Sequence, residues 1–178
     1  MKRHVPAVPA LAVLLAGVLL TGCSSVVPLC PSASILSDTA TLTVFRAGAP
    51  HDPSGEAFTA AIDGLTTKCT YEKGASSSNS SMDFTVRATR APSPDGAVYH
   101  IPYYMTLSQG DRILSKKNYI LNLEFPAGSA AISQDVSLDD ITVNLETSHP
   151  PTDYQLLVGF QLTQGDLDYN RQRGRFSP

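Results

Sequence analysis

Apolar residues recur at every second position over long stretches of this chain. Met82, Phe84, Val86 and Ala88 alternate with Asp83, Thr85, Arg87 and Thr89, and Tyr99, Ile101, Tyr103, Met105 and Leu107 alternate with His100, Pro102, Tyr104 and Thr106. Tyr119, Leu121, Leu123 and Phe125 repeat the pattern, then Ile141, Val143 and Leu145, and finally Tyr154, Leu156, Val158, Phe160 and Leu162. A period of two sends successive side chains to opposite faces of a strand, so each stripe predicts a strand with one buried face. Phe58, Ala60 and Ile62 predict one more strand, whose phase breaks at Gly64 before Thr67, Cys69 and Tyr71 resume it; a bulge or turn at the glycine accounts for the slip. One-sided strands suit antiparallel sheets packed face to face.

Turn signals separate the stripes: Ala49-Pro50, Asp52-Pro53-Ser54-Gly55, Pro92 to Gly96, Gln109-Gly110-Asp111, Pro126-Ala127-Gly128 and Pro150-Pro151. Asp139-Asp140 reads as a further turn before the Ile141 strand, and Ser76 to Ser81 as a polar loop. Pro102 inside a stripe predicts an edge strand or a bulge, because proline has no N–H to give to a ladder. Near the end, Thr163-Gln164-Gly165-Asp166 fits a capping box and predicts a turn or two of helix. The expected fold is all-β: an immunoglobulin-like antiparallel β-sandwich with a short C-terminal helix, without the tryptophan of antibody domains, since the chain has none.

One apolar run lacks this periodicity. Met1-Lys2-Arg3 precedes Ala7 to Leu20, which contains Pro9 and is shorter than the roughly 20 residues a bilayer span requires. A basic start, a short apolar middle and small residues before a cysteine make a secretory signal peptide, and Leu20-Thr21-Gly22-Cys23 matches the bacterial lipobox. Residues 1–22 are expected to be removed, Cys23 to be lipidated, residues 23–40 to form a lipidated tether and residues 41–178 to form the sandwich. Within the tether, Ser24 to Pro31 is too short to carry the domain far from the lipid. Ser24 after the cysteine, in place of the aspartate that retains enteric lipoproteins at the inner membrane, favours the periplasmic side of the outer membrane.

With Lys2 and Arg3 removed, 11 Lys and Arg stand against 16 Asp and Glu, a formal charge of −5 that argues against nucleic-acid binding. Arg171, Arg173 and Arg175 form the one basic cluster, read as a solvated tail. Of three cysteines the first is committed to lipid, leaving Cys30 and Cys69. In an exported chain an even pair reads as a disulfide, with two free buried thiols as the alternative.

Catalytic and cofactor motifs are not found. No Gly-x-Ser-x-Gly elbow, glycine-rich phosphate loop or Cys/His set at zinc spacing occurs in the sequence. His51-Asp52 lies in a Pro/Gly turn, where such residues serve turn geometry; His100 falls on a strand's polar face and His149 before a Pro-Pro turn. Asp139-Asp140 lacks the alternating acidic ligands of a calcium loop. No cofactor, metal or catalytic residue is therefore assigned.

Cys30-Pro31, Cys69, Pro102-Tyr103 and above all Gly159-Phe160-Gln161-Leu162 followed by Leu167-x-Tyr169-Asn170-Arg171 resemble a family of uncharacterised cell-envelope lipoproteins of Gram-negative bacteria. The likeness covers most of the mature chain. It implies a location and a type of domain, and supplies no functional residues. The leading expectation is a non-enzymatic module held on the membrane by its lipid, docking an envelope protein by strand addition at the Pro102 edge. The alternatives are a small-ligand or glycan binder using Tyr99, Tyr103, Tyr104 and Tyr119, and an envelope hydrolase.

Overall fold

The computed structural model describes residues 30–174. Two four-stranded sheets face each other, one in the order β1-β8-β5-β6 and the other β2-β3-β4-β7. The strands are β1 (Ser32–Ile35), β2 (Thr41–Phe45), β3 (Glu56–Thr70), β4 (Ser77–Arg90), β5 (Ala97–Gln109), β6 (Arg112–Phe125), β7 (Ala131–Asn144) and β8 (Tyr154–Phe160), followed by the helix α1 (Gln164–Arg173). β4 pairs with β7 and β5 with β8, each partner coming from the other side of a sheet-to-sheet connection. This crossed pairing is the Greek-key connectivity of a sandwich.

The alternating stripes meet between the sheets. Phe58 and Ile62, Met82, Phe84 and Val86, Met105, Leu123 and Phe125, Val143, Tyr154, Leu156, Val158 and Phe160 are all buried in one cluster. Aromatic rings pack within it: Phe84 lies edge-on to Tyr103 and Tyr99 edge-on to Phe125. The phase slip at Gly64 is a bulge inside a continuous β3, with the glycine at φ +63° and the register to β4 shifting between Asp63 and Thr66. The capping box also forms. The Thr163 hydroxyl accepts from Asp166 N, and Asp166 accepts in return from Thr163 N at 2.9 Å. The resulting helix is ten residues long, more than a turn or two. It is fixed by Tyr169, which packs edge-on against Phe45, and by Asn170 Nδ2, which donates to Thr41 O at 2.8 Å.

Several expectations are corrected. The sandwich starts before residue 41, because Ser32–Ile35 already pairs with β8, and in parallel, the single exception among the antiparallel ladders described. A 3₁₀ turn at Ser37–Thr39 then lies over the outer face of β5 and β8, so Tyr104 and Thr106 are buried although they point away from the core. Residues 77–81 are strand, not loop: Ser78 and Ser80 face inward and are buried, Ser80 directly opposite Cys69. Asp139 and Asp140 are the extra residues of a bulge in β7, not a turn before a new strand, and Asp140 takes φ +55° there.

Pro102 is not on an edge strand. β5 is flanked by β6 and β8, and the missing donor is accommodated by direction. Gln161 N donates to Pro102 O at 2.9 Å, so the backbone of Pro102 faces β8 at the point where β8 leaves the sheet. One return hydrogen bond is lost, and the pairing ends there.

Gly159 is set by close approach. A Cβ on it would sit 2.0 Å from Thr39 Oγ1 and 2.9 Å from the Tyr104 hydroxyl, which itself lies 2.9 Å from Thr39 Oγ1. Gly159→Ala is expected to cost about 1 to 3 kcal/mol by pushing the 3₁₀ turn off the sheet. Chemical denaturation of Gly159→Ala, with and without Thr39→Ala, checks this: the second substitution should recover part of the loss, and no loss at all would refute the packing.

Candidate interaction surface

The sites weighed from sequence do not converge. Among the described residues no group of three or more His, Cys, Asp or Glu could hold a metal ion. His51 stacks on Phe45, while Asp52 accepts from Ser54 N and Ser54 Oγ. Those bonds from Ser54 hold the Asp52 carboxyl below its ordinary pKa, so the pair serves the β2–β3 turn as expected. His100 Nδ1 lies 2.6 Å from Asn122 Oδ1 across the β5–β6 ladder, and His149 Nδ1 2.9 Å from Asp153 Oδ2. The tyrosines divide between two faces. Tyr103 and Tyr119 stack on each other on the core side, where burial raises both phenol pKa values, with the neighbouring Tyr119 adding to the rise at Tyr103. Tyr104 points the opposite way, with the Lys116 ammonium over its ring.

Two open clefts are equally committed to structure. One of about 540 Å³ lies between Tyr71–Ser76 and Leu145–Pro150; its Glu146 pairs with Arg112 and its His149 with Asp153. The other, of about 500 Å³, includes Arg46 and Arg90. Arg90 donates to the carbonyls of Asp95 and Ser129 and lies over the Phe125 ring, and Arg46 donates to the carbonyls of Ser54 and Glu56. Both guanidinium groups are held by backbone carbonyls. Arg171, expected in a solvated tail, forms an ion pair with Asp38, whose carboxylate raises its pKa. Arg175 and Cys23, with the segment 1–22 expected to be a signal peptide, lie outside the described residues. Cys30 and Cys69 are joined, with their Cα atoms 5.8 Å apart.

The feature that reasoning on single residues missed is an edge. β6 pairs with β5 on one side, and among the described residues no strand pairs with its other side. Because Pro102 turns its backbone toward β8, alternation directs Ile101 and Tyr103 toward β6, where they oppose Leu121 and Tyr119. The N–H and C=O groups of Asn118, Ile120, Asn122 and Glu124 consequently point outward. Ile120 is 62% exposed. Edge strands are usually blunted by charge, brevity or bulges. β1 and β2 are short, and β7 carries the acidic bulge at Asp139-Asp140. β6 is guarded by Arg112, Lys116, Lys117 and a bulge at Leu114 only in its first half; from Asn118 to Leu123 it has no charge, proline or bulge. The sequence signal that could have found it is the uncharged run Asn118-Tyr119-Ile120-Leu121-Asn122-Leu123 after paired lysines.

No protein-family model matches the chain, and comparisons with curated proteins and with solved structures gave no match.

Proposed function

We propose that this chain is a lipid-anchored, non-enzymatic module of the cell envelope that receives an extended segment of a partner protein along the free edge of β6. The observation that carries the reading is the outward row of backbone groups at Asn118, Ile120, Asn122 and Glu124, unguarded by charge over Asn118 to Leu123. Strand addition draws affinity from main-chain hydrogen bonds and selectivity from alternate side chains, here the exposed Ile120 and its cross-strand neighbour Pro102. The anchor rests on Leu20-Thr21-Gly22-Cys23 and the disposition at the outer membrane on Ser24. Two or more acyl chains on one cysteine hold stably, where a single chain binds only reversibly. The acidic balance of the mature chain argues against nucleic acid as the partner.

The edge is tested by a photo-crosslinking residue at Ile120 in cells, with one at Thr85 on the outer face of the other sheet as control. A discrete adduct is expected at Ile120 alone, and Asn122→Pro should abolish it, since that proline removes an outward N–H and leaves the β5 ladder intact. An adduct unchanged by Asn122→Pro, with thermal stability preserved, would show that the partner is not held by backbone pairing. The anchor is tested separately. Cys23→Ser is expected to leave unprocessed precursor in the inner membrane or a soluble periplasmic form; maturation and sedimentation with outer membranes as in the unaltered protein would refute the lipobox.

A further inference from the structure

The register of the first sheet puts Ser32 beside Gln155, Gln155 beside Ser108 and Ser108 beside Ile113. One end of the sandwich therefore gathers the start of β1, the Cys30–Cys69 bridge and the tip of the β5–β6 hairpin. The loops Pro92 to Gly96 and Pro126 to Gly128 lie at the opposite end, where Ala97 pairs with Phe125. At the hairpin tip, residues 112–118 are exposed on both faces of β6. Ile113 is 67% exposed and Leu114 37%. Two large apolar side chains near the end of the hairpin leave a contact unfilled.

The length of chain before the domain says what fills it. Seven residue steps separate Cys23 from Cys30, a reach of at most about 25 Å even when fully extended. β6, with its 14 residues, is about 46 Å long at 3.3 Å per residue. A chain held at Cys23 cannot stand inverted on the far end of the sandwich, and the end bearing Cys30 must stay within about 25 Å of the lipid. Resting on the lipid-anchor reading above, we infer that the β5–β6 tip lies in the headgroup layer of the membrane that holds the anchor, with Ile113 and Leu114 inserted at its boundary with the acyl chains. The same segment, Asp111 to Lys117, has three cations against one acid. Arg112 is engaged by Glu146, and the exposed Lys117 is placed to face lipid phosphates. The domain then stands end-on, and the uncharged half of β6 is held above the headgroups, facing sideways toward other envelope proteins.

The test uses the mature protein purified from cells and reconstituted in vesicles of phosphatidylethanolamine and phosphatidylglycerol. A polarity-sensitive probe is attached at Ser115→Cys beside the tip, or at Asp95→Cys at the opposite end, and the acyl state of Cys23 is read by mass spectrometry on the same samples. The Ser115 probe is expected to shift its emission to shorter wavelength, to be quenched by lipids with brominated chains and to lose several-fold of its access to aqueous iodide. The Asp95 probe should show none of these. Ile113→Asp with Leu114→Asp should return the Ser115 probe to water without releasing the protein from the vesicles. Acylated protein whose two probes are equally open to iodide would overturn the inference and leave the anchor standing. A Cys23 without acyl chains would remove the anchor and the inference with it. Energy transfer between Ser115 probes on different copies, without quenching by brominated lipid, would assign the tip to a second copy and overturn the inference as well.

Discussion

Phe160→Ala is expected to destabilise the protein by about 3 to 5 kcal/mol, through lost burial and a cavity the surroundings cannot close. Phe160 is completely buried on β8, an interior strand between β1 and β5, directly opposite Tyr103. Tyr103 in turn packs on Phe84 of the facing sheet and on Tyr119, so a void at Phe160 loosens contacts on three strands and on both sheets. The neighbouring Gln161 is exposed, and its side chain accepts a hydrogen bond from the Lys116 ammonium at 2.8 Å. Gln161→Ala should cost no more than about 0.5 kcal/mol, the usual scale for surface changes. Its backbone bond to Pro102 O survives the substitution. Denaturant unfolding of both variants with unchanged slope checks the contrast; small and equal effects would contradict the phase of β8.

That phase was legible because Tyr154, Leu156, Val158, Phe160 and Leu162 hold a period of two, against which Leu157 alone puts a large apolar side chain on the other face. The same rule located the cores of β4, β5 and β6 and the end of β7 from Ile141, but not Val136 and Leu138 earlier in that strand. It failed where polarity stood in for exposure. Ser78 and Ser80 are polar, yet a serine side chain is small enough to sit between packed sheets, and both hydroxyls are buried without a hydrogen-bond partner among the described residues. It failed at β1 because a strand of four residues after Pro31 is too short to display a period. Pro102 misled for a different reason. The rule that proline belongs on edges concerns the direction of its missing N–H, and direction depends on where β8 ends, which no local pattern records. The free edge of β6 lies at the same level: it is set by the order of strands in the sheet, while the residues themselves show only an uncharged run.

Cys69→Ala is expected to lower stability by about 4 kcal/mol in the loop-entropy account, and the thermal midpoint by roughly 10 °C. The bridge closes a segment 39 residues long, so the unfolded chain regains much freedom when it is lost. The folded state should feel it as well, at a particular place. Cys30 stands two residues before β1 and Cys69 next to the last residue of β3, so the bridge joins the two sheets at the edge where β1 is attached. β1 has four residues and a single parallel partner, the weakest attachment of any strand described. Without the bridge it should fray first, and the amide of Leu36, which donates to Val158 O at 2.9 Å, should exchange with solvent well before the amides of β4 and β5. Cys30→Ala with Cys69→Ala should match Cys69→Ala alone, because one bond is lost in either case; a double variant clearly more stable than the single would trace part of the effect to the stranded thiol. Complete alkylation of both cysteines in the folded, unreduced protein would show that no bridge forms. Should the bridge form and its removal leave both the midpoint and the exchange at Leu36 unchanged, the attachment of β1 would owe nothing to it, and β1 would be held by its ladder to β8.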